Sequence, residues 1–132
     1  MRARNRSVFP MRPEMFEDLV TEAWEEVPER FRRRLENIAI VVEEFADPPT
    51  LRLAGLRHPS QLLGFYHGVP LPNRGQEYGL VAPDKISIYR IPILQQCETY
   101  EEVRQLAGRV LRHEIAHYFG IDDDRLLAIG AY

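Results

Sequence analysis

Apolar residues recur at helical spacing early in the chain, beginning just after Pro13. Proline suits the first position of a helix, because its φ is already helical and its missing N–H would have no partner there. A second proline, Pro28, is expected to break or kink the pattern. We therefore predict one helix from residue 13 and another from Pro28 to about Leu35. The apolar positions of the first are Phe16, Leu19, Val20, Ala23 and Trp24.

A second stretch of helical spacing runs from about Thr99 to Phe119. Thr99 and Glu102 are spaced as in a capping box, and Gly120 follows, where helices often stop in a left-handed conformation. We predict a long helix here and a short final helix at about residues 124–131. The inward stripe of the long helix comprises Val103, Leu106, Ala107, Val110, Leu111 and Tyr118.

Three segments between these helices have the pattern of strands. Residues 38–42 are rich in β-branched side chains, residues 62–69 form a second candidate, and residues 85–91 alternate as a half-buried strand does. Prolines and glycines favour loops at residues 46–61 and 70–84. The order of helix, strands and helix predicts a small arrangement of two or three layers.

Composition is that of one ordinary globular domain. The chain has 132 residues, of which 45% are hydrophobic and 28% charged. The net charge of −3 argues against a general nucleic-acid binder. We divide the chain into a flexible tail, residues 1–12, and a domain, residues 13–132.

Cys97 is the single cysteine of the chain, so neither an intrachain disulfide nor a cysteine cage for zinc can form. No stretch approaches the roughly 20 apolar residues of a membrane span. Residues 1–10 contain arginines without a following apolar core, which is unlike a secretion signal. We therefore expect a cytoplasmic protein that does not bind a membrane.

The most informative segment is His113-Glu114-Ile115-Ala116-His117, within the long predicted helix. Residues four apart lie on one face of a helix, so His113 and His117 can direct imidazole nitrogens at one point. Zinc accepts such ligands. Glu114 lies between them in angle, where it can contact a water at the metal without being a ligand. The segment predicts a zinc site with a general base.

The third zinc ligand is expected just after the helix. In the longer pattern H-E-x-x-H-x-x-G-x-x-H, it lies ten residues after the first histidine, and here that position is Asp123. A carboxylate oxygen is an acceptable ligand for zinc. Asp122 and Asp124 are the alternatives, and any of the three could instead cap the last helix.

Glu114 falls near the middle of the apolar stripe of the long helix, and the two histidines lie along its edge. A buried carboxylate without a partner would cost several kcal/mol, so a metal with its water explains why a charge is found there. The competing interpretation is a coincidental pair of core histidines. Other polar aromatic residues could stabilise an oxyanion or simply pack: Tyr66, His67, Tyr89, Tyr118 and Tyr132.

The HExxHxxGxxD pattern, together with LLGFYHGVPL (62–71) and KISIYRIPIL (85–94), resembles the small bacterial zincin-like metallopeptidase family, formerly a domain of unknown function. The resemblance implies a minimal α+β fold: an N-terminal helix, a mixed sheet of three to four strands, the active-site helix and a short C-terminal helix. It also implies His113, His117 and Asp123 as ligands of Zn²⁺ and Glu114 as base. Substrate would lie along the strand at residues 62–69.

The functional hypothesis is a zinc-dependent metallopeptidase that acts on a peptide or protein. The alternative is a zinc-binding interaction module with little or no hydrolytic activity. It is motivated by the short chain and by the absence of a methionine after the motif. A metal-dependent nuclease is disfavoured by the charge and by the lack of a third histidine in the motif. The protein is expected to be a monomer or, through an exposed edge strand, a homodimer.

Overall fold

The computed structural model describes residues 8–35, 37–68 and 84–120. The elements in chain order are α1 (Pro13–Glu25), α2 (Glu29–Arg32), a 3₁₀ turn (Arg33–Leu35), β1 (Ala39–Glu43), α3 (Pro48–Ala54), a second 3₁₀ turn (Pro59–Gln61), β2 (Gly64–His67), β3 (Lys85–Tyr89), α4 (Arg90–Leu94) and α5 (Tyr100–Tyr118). Among the described residues, no helix is long and apolar enough to cross a membrane.

The three described strands form one mixed sheet in the order β1-β3-β2. Strand β1 is parallel to β3, with Val41 opposite Ser87. Strand β2 is antiparallel to β3, with Phe65 opposite Ser87. The predicted α+β class with a small mixed sheet is therefore confirmed. The predicted final helix at residues 124–131 lies outside the described residues.

Both faces of the sheet are covered by apolar side chains. Alternate residues of β3 belong to two clusters: Ile86 and Ile88 to the main core, and Tyr89 to a smaller cluster with Ala46 and Leu51. The main core joins the sheet to α1, α5 and the 3₁₀ turn that precedes β1. Its fully buried side chains include Phe16, Leu19, Leu35, Val103 and Leu111.

The two long helices begin and end for the reasons predicted. Pro13 occupies the first turn of α1, and α2 begins after Pro28. At the start of α5, the hydroxyl of Thr99 accepts a hydrogen bond from the backbone N–H of Glu102 at 3.1 Å. Gly120 has a φ of 77°, the left-handed conformation expected of a helix stop.

The loop predicted at residues 46–61 was wrong in part, because it contains α3. The side chain of Asp47 accepts a hydrogen bond from the backbone N–H of Thr50 at 2.9 Å, which caps the helix. The two prolines that follow Asp47 occupy the first turn, where their missing N–H groups cost nothing. Gly55 then ends α3 with a φ of 75°.

The predicted strand at residues 85–91 was too long, because the chain turns directly from β3 into α4 at Arg90. Pro92 lies within the first turn of α4, so it removes no hydrogen bond from that helix. The predicted strand at residues 62–69 was also longer than β2, and residue 69 lies outside the described part of the chain.

The end of the predicted tail contacts the domain. The backbone N–H of Phe9 donates to the carbonyl of Leu94 at 3.2 Å, and Met11 is buried in the main core. Arg90 donates through Nη1 to the carbonyl of Met11 at 2.7 Å. It also donates through Nε and Nη2 to the two carboxylate oxygens of Glu44, at 2.8 and 2.6 Å. Arg90 thus links residue 11 to the segment after β1. The boundary at residue 13 stays a prediction.

We expect Glu44→Gln to lower the melting temperature slightly at pH 7, because it weakens the ion pair with Arg90. Hydrogen bonding from Arg90 holds the pKa of Glu44 below its ordinary value of 4.5. The stability from this pair is therefore present above pH 4.5 and is lost as the pH falls through the lowered pKa. The Glu44 side chain is 54% exposed, so the effect is at most about 1 kcal/mol.

Thermal melts of both proteins between pH 7 and pH 3 measure this difference. Glu25→Gln is the matched control, because Glu25 is an exposed glutamate of α1 and is not among the charges that act on Arg90. A deficit of Glu44→Gln that stayed the same size at pH 3 would contradict the assigned role of Glu44.

Candidate metal centre

Helix α5 brings together the three residues of the predicted motif. His113 and His117 are one turn apart, and their ring centroids are 4.4 Å apart with the ring planes at 75°. One ligand atom from each histidine and one from Glu114 all lie within 4.8 Å of one another. Within residues 8–35, 37–68 and 84–120, this is the one group of three such side chains close enough to hold an ion.

The donor set fits a metal of borderline softness such as zinc, because two imidazoles and carboxylate oxygens are ligands that zinc takes. The two histidines are partly exposed, and the side chain of His117 is 40% exposed. An ion held by them would therefore be open to solvent. Asp123, the predicted third ligand, lies outside the described residues together with its alternatives Asp122 and Asp124.

Glu114 is enclosed by protein on the side of the sheet. It is 7% exposed, and its Oε1 lies 3.3 Å from Nδ1 of His117. With the proton on Nδ1, His117 donates to Glu114 and keeps the lone pair of Nε2 available for a metal. The burial of Glu114 agrees with the position predicted for it on the apolar stripe.

Strand β2 lies along α5 at the edge of the described sheet. Its first residue, Gly64, is buried against the helix. A Cβ added there would lie 2.5 Å from Cγ1 of Val110, 3.2 Å from the carbonyl oxygen of Ser87 and 3.4 Å from Cγ of Glu114. The backbone of β2 therefore passes close to the side-chain stem of the predicted base, with no room for a side chain at Gly64. Nothing in the sequence pattern singled out this glycine.

A buried hydrogen bond lies at the other end of β2. The hydroxyl of Tyr66 donates to Oδ2 of Asp84, and both residues are buried. The Tyr66 ring also meets the Tyr118 ring edge to face, with centroids 5.8 Å apart. A Cβ added at Gly68 would lie 2.6 Å from Oδ1 of Asp84. The sequence analysis did not identify Asp84, which has no motif around it.

The polar aromatic residues considered as oxyanion stabilisers are largely engaged elsewhere. The Tyr118 hydroxyl donates to the carbonyl of Arg34 at 3.4 Å, and Tyr89 is fully buried in the smaller cluster. His67 is half-buried, with Nε2 3.1 Å from Oγ of Ser87. Burial, reinforced by the nearby charge of Lys85, lowers the pKa of His67. Tyr132 lies outside the described residues.

Comparison with known proteins agrees with the geometry. Residues 35–131 match a family model described as zincin-like metallopeptidase. The fold is also similar to that of a conserved hypothetical protein from T. thermophilus, with 28% sequence identity and a TM-score of 0.52; the match covers 83% of this chain and 94% of that one. No curated protein matches the chain. The resemblance predicted from the HExxHxxGxxD pattern is thus confirmed, and the chain belongs to the zincin-like metallopeptidase family.

Proposed function

We propose that this chain is a zinc-dependent peptidase in which His113, His117 and Asp123 hold the metal and Glu114 is the general base. The observation that carries the proposal is the position of Glu114. Glu114 is 7% exposed, yet it belongs to a cluster with two partly exposed histidines on one helix face.

A carboxylate has a high cost in such a place, because burial removes the water that stabilises its charge. A helix that only packed against a sheet would be more stable with an apolar residue there. Val110, one turn earlier on α5, is such a residue. A buried acid between two candidate metal ligands is the arrangement expected of a general base, which must be close to the reacting water but held apart from bulk solvent.

When bound, zinc would supply Lewis acidity, lowering the pKa of a water to about 7 and polarising the carbonyl of the substrate. Glu114 would accept a proton from the attacking water and deliver it to the nitrogen of the leaving amine. His117 would help to hold the carboxylate in place through the contact of its Nδ1 with Oε1. In this mechanism, Glu114 would carry the proton from the water to the leaving nitrogen, so no second acid or base of the chain is needed.

The class of substrate is inferred from the family and from the edge strand β2. Within the described residues, β2 is the edge of the sheet nearest to Glu114, with the Cγ of that residue beside Gly64. An extended peptide can pair with an edge strand through main-chain hydrogen bonds, largely irrespective of its sequence. A peptide paired with β2 would run past the base. This geometry supports peptide bonds as the target.

Removal of the metal is the experiment that tests this proposal. The chain treated with a chelator should cleave no member of a mixed peptide library, and addition of one equivalent of Zn²⁺ should restore cleavage. Products would be identified by mass spectrometry. If the protein binds zinc tightly but cleaves nothing in the library, the interaction-module hypothesis is favoured over the peptidase.

A further inference from the structure

We propose that Gly64 is a positioning residue for the reaction: the absence of its side chain sets the distance between β2 and Glu114. The proposal deepens the assignment of the site and rests on the proposed function for the direction of its kinetic effect. Its structural basis is the contact between the first residue of β2 and one turn of α5.

Val110 and Glu114 are four residues apart and therefore neighbours on the same face of α5. Gly64 lies against both. A methyl group at Gly64 would be 2.5 Å from Cγ1 of Val110 and in ordinary contact, at 3.4 Å, with Cγ of Glu114. Apolar carbons prefer separations of about 3.5–4.0 Å, so a side chain at position 64 requires a displacement of about 1 Å.

The obstacles on the helix and on β3 cannot easily give way. Valine in a helix has one strongly preferred rotamer, so Val110 does not readily turn its Cγ1 aside. Helix α5 also packs against α1, since Gly108 is buried with the Ala23 side chain of α1 close to it. This packing restrains the helix. On β3, the carbonyl oxygen of Ser87 would be 3.2 Å from the added methyl group. Strand β2 is therefore the part that moves, away from Glu114.

Two consequences follow for the base. The methylene stem of Glu114 loses the wall that fixes it on the side of the sheet, and its carboxylate is no longer held in one place beside His117. A substrate paired with β2 would also lie farther from Glu114. A misplacement of about 1 Å at a reacting group costs about 100-fold in rate.

The test is a set of four variants loaded with metal: Gly64→Ala, Val110→Ala, the double variant, and Gly108→Ala as a control. Cγ1 is the only Val110 atom among the three nearest to the added methyl group, so Val110→Ala removes the closest contact. Gly108 is on the same helix, and its added Cβ would meet chiefly the flexible end of Arg112, at 3.0 Å from Nη1. Gly108→Ala should leave activity unchanged.

We expect kcat of Gly64→Ala to fall about 100-fold with little change in KM, because pairing with the strand is kept while the base is misplaced. Zinc affinity should be unchanged, since neither histidine is among the nearest neighbours of Gly64. In the double variant, kcat should return to within about tenfold of the original protein.

A second readout needs no substrate. The visible spectrum of the cobalt-loaded protein should change in Gly64→Ala in the same direction as in Glu114→Gln, and should return in the double variant. If the protein cleaves no peptide, the proposed function fails and this spectrum still decides the role of Gly64.

An unchanged spectrum in a folded, loaded Gly64→Ala protein would overturn the proposal. If Gly64→Ala alone does not fold, the double variant provides the test. A folded double variant with the spectrum of Glu114→Gln would equally overturn the proposal.

Discussion

Replacement of Glu114 by glutamine is expected to reduce kcat/KM by about 10²–10⁴-fold, the usual contribution of a general base. Glutamine has nearly the same shape but cannot accept the proton of the attacking water. Zinc should remain bound in stoichiometric amount, because Glu114 is assigned no role as a ligand. Cleavage of a peptide that the original chain cuts, measured beside the zinc content of both proteins, gives the result.

The melting temperature of the Glu114→Gln protein shows whether a loss of activity comes from the missing base or from unfolding. Glu114 is 7% exposed, so a neutral amide avoids part of the cost of burying a charge. We therefore expect the metal-free Glu114→Gln protein to melt no lower than the original. Glu25→Gln makes the same chemical change at an exposed position of α1 and should leave activity unaltered. Full activity of the Glu114→Gln protein would rule out Glu114 as the base.

Loss of either histidine is expected to abolish zinc binding at micromolar protein and, with it, all cleavage. Partners that only orient a ligand contribute about 10–100-fold to metal affinity, so removal of a ligand itself should exceed that range. His113→Ala and His117→Ala are the variants, and His58→Ala, an exposed histidine outside the motif, is the control. Competition with a chromophoric chelator measures the affinity.

Single substitutions distinguish the third zinc ligand from the two aspartates next to it in the sequence. Asp123→Asn should weaken zinc binding as strongly as loss of a histidine, since an amide is a poorer ligand than a carboxylate. Asp122→Asn and Asp124→Asn should have small effects. If Asp122→Asn or Asp124→Asn instead gave the large loss, the spacing argument that selects Asp123 would be wrong.

Helix α5 was predicted closely because its signals are local. The spacing of apolar residues, the cap at Thr99 and the stop at Gly120 all lie within or next to the helix, and the structure places it at Tyr100–Tyr118. The cluster of His113, Glu114 and His117 depends only on the geometry of that helix. Its close grouping was therefore predictable from five consecutive residues.

Helices α3 and α4 were missed because the same residue types occur both in loops and in the first turns of helices. Prolines after Asp47 were interpreted as marks of a loop, whereas in the first turn of α3 they favour a helix. Between β3 and α4 no glycine or polar run marks the change from strand to helix at Arg90. Short helices bury few residues, so the spacing of apolar positions does not reveal them.

The close approach of Gly64 to α5 could not be predicted from the sequence. Its significance depends on the distance between a strand and a helix that are far apart in the chain, and on the Val110 side chain in particular. The same holds for Asp84, whose partner Tyr66 is 18 residues away. Tertiary packing determines both, and no local pattern encodes it.

Anomalous diffraction at the zinc edge, from crystals grown with zinc, tests the central claim most directly. The account predicts one zinc held by a ring nitrogen of His113, a ring nitrogen of His117 and a carboxylate oxygen of Asp123. It also predicts solvent at the remaining position and Glu114 outside the ligand set. Zinc bound elsewhere, or closed off by four protein ligands, would contradict a catalytic metal centre on α5.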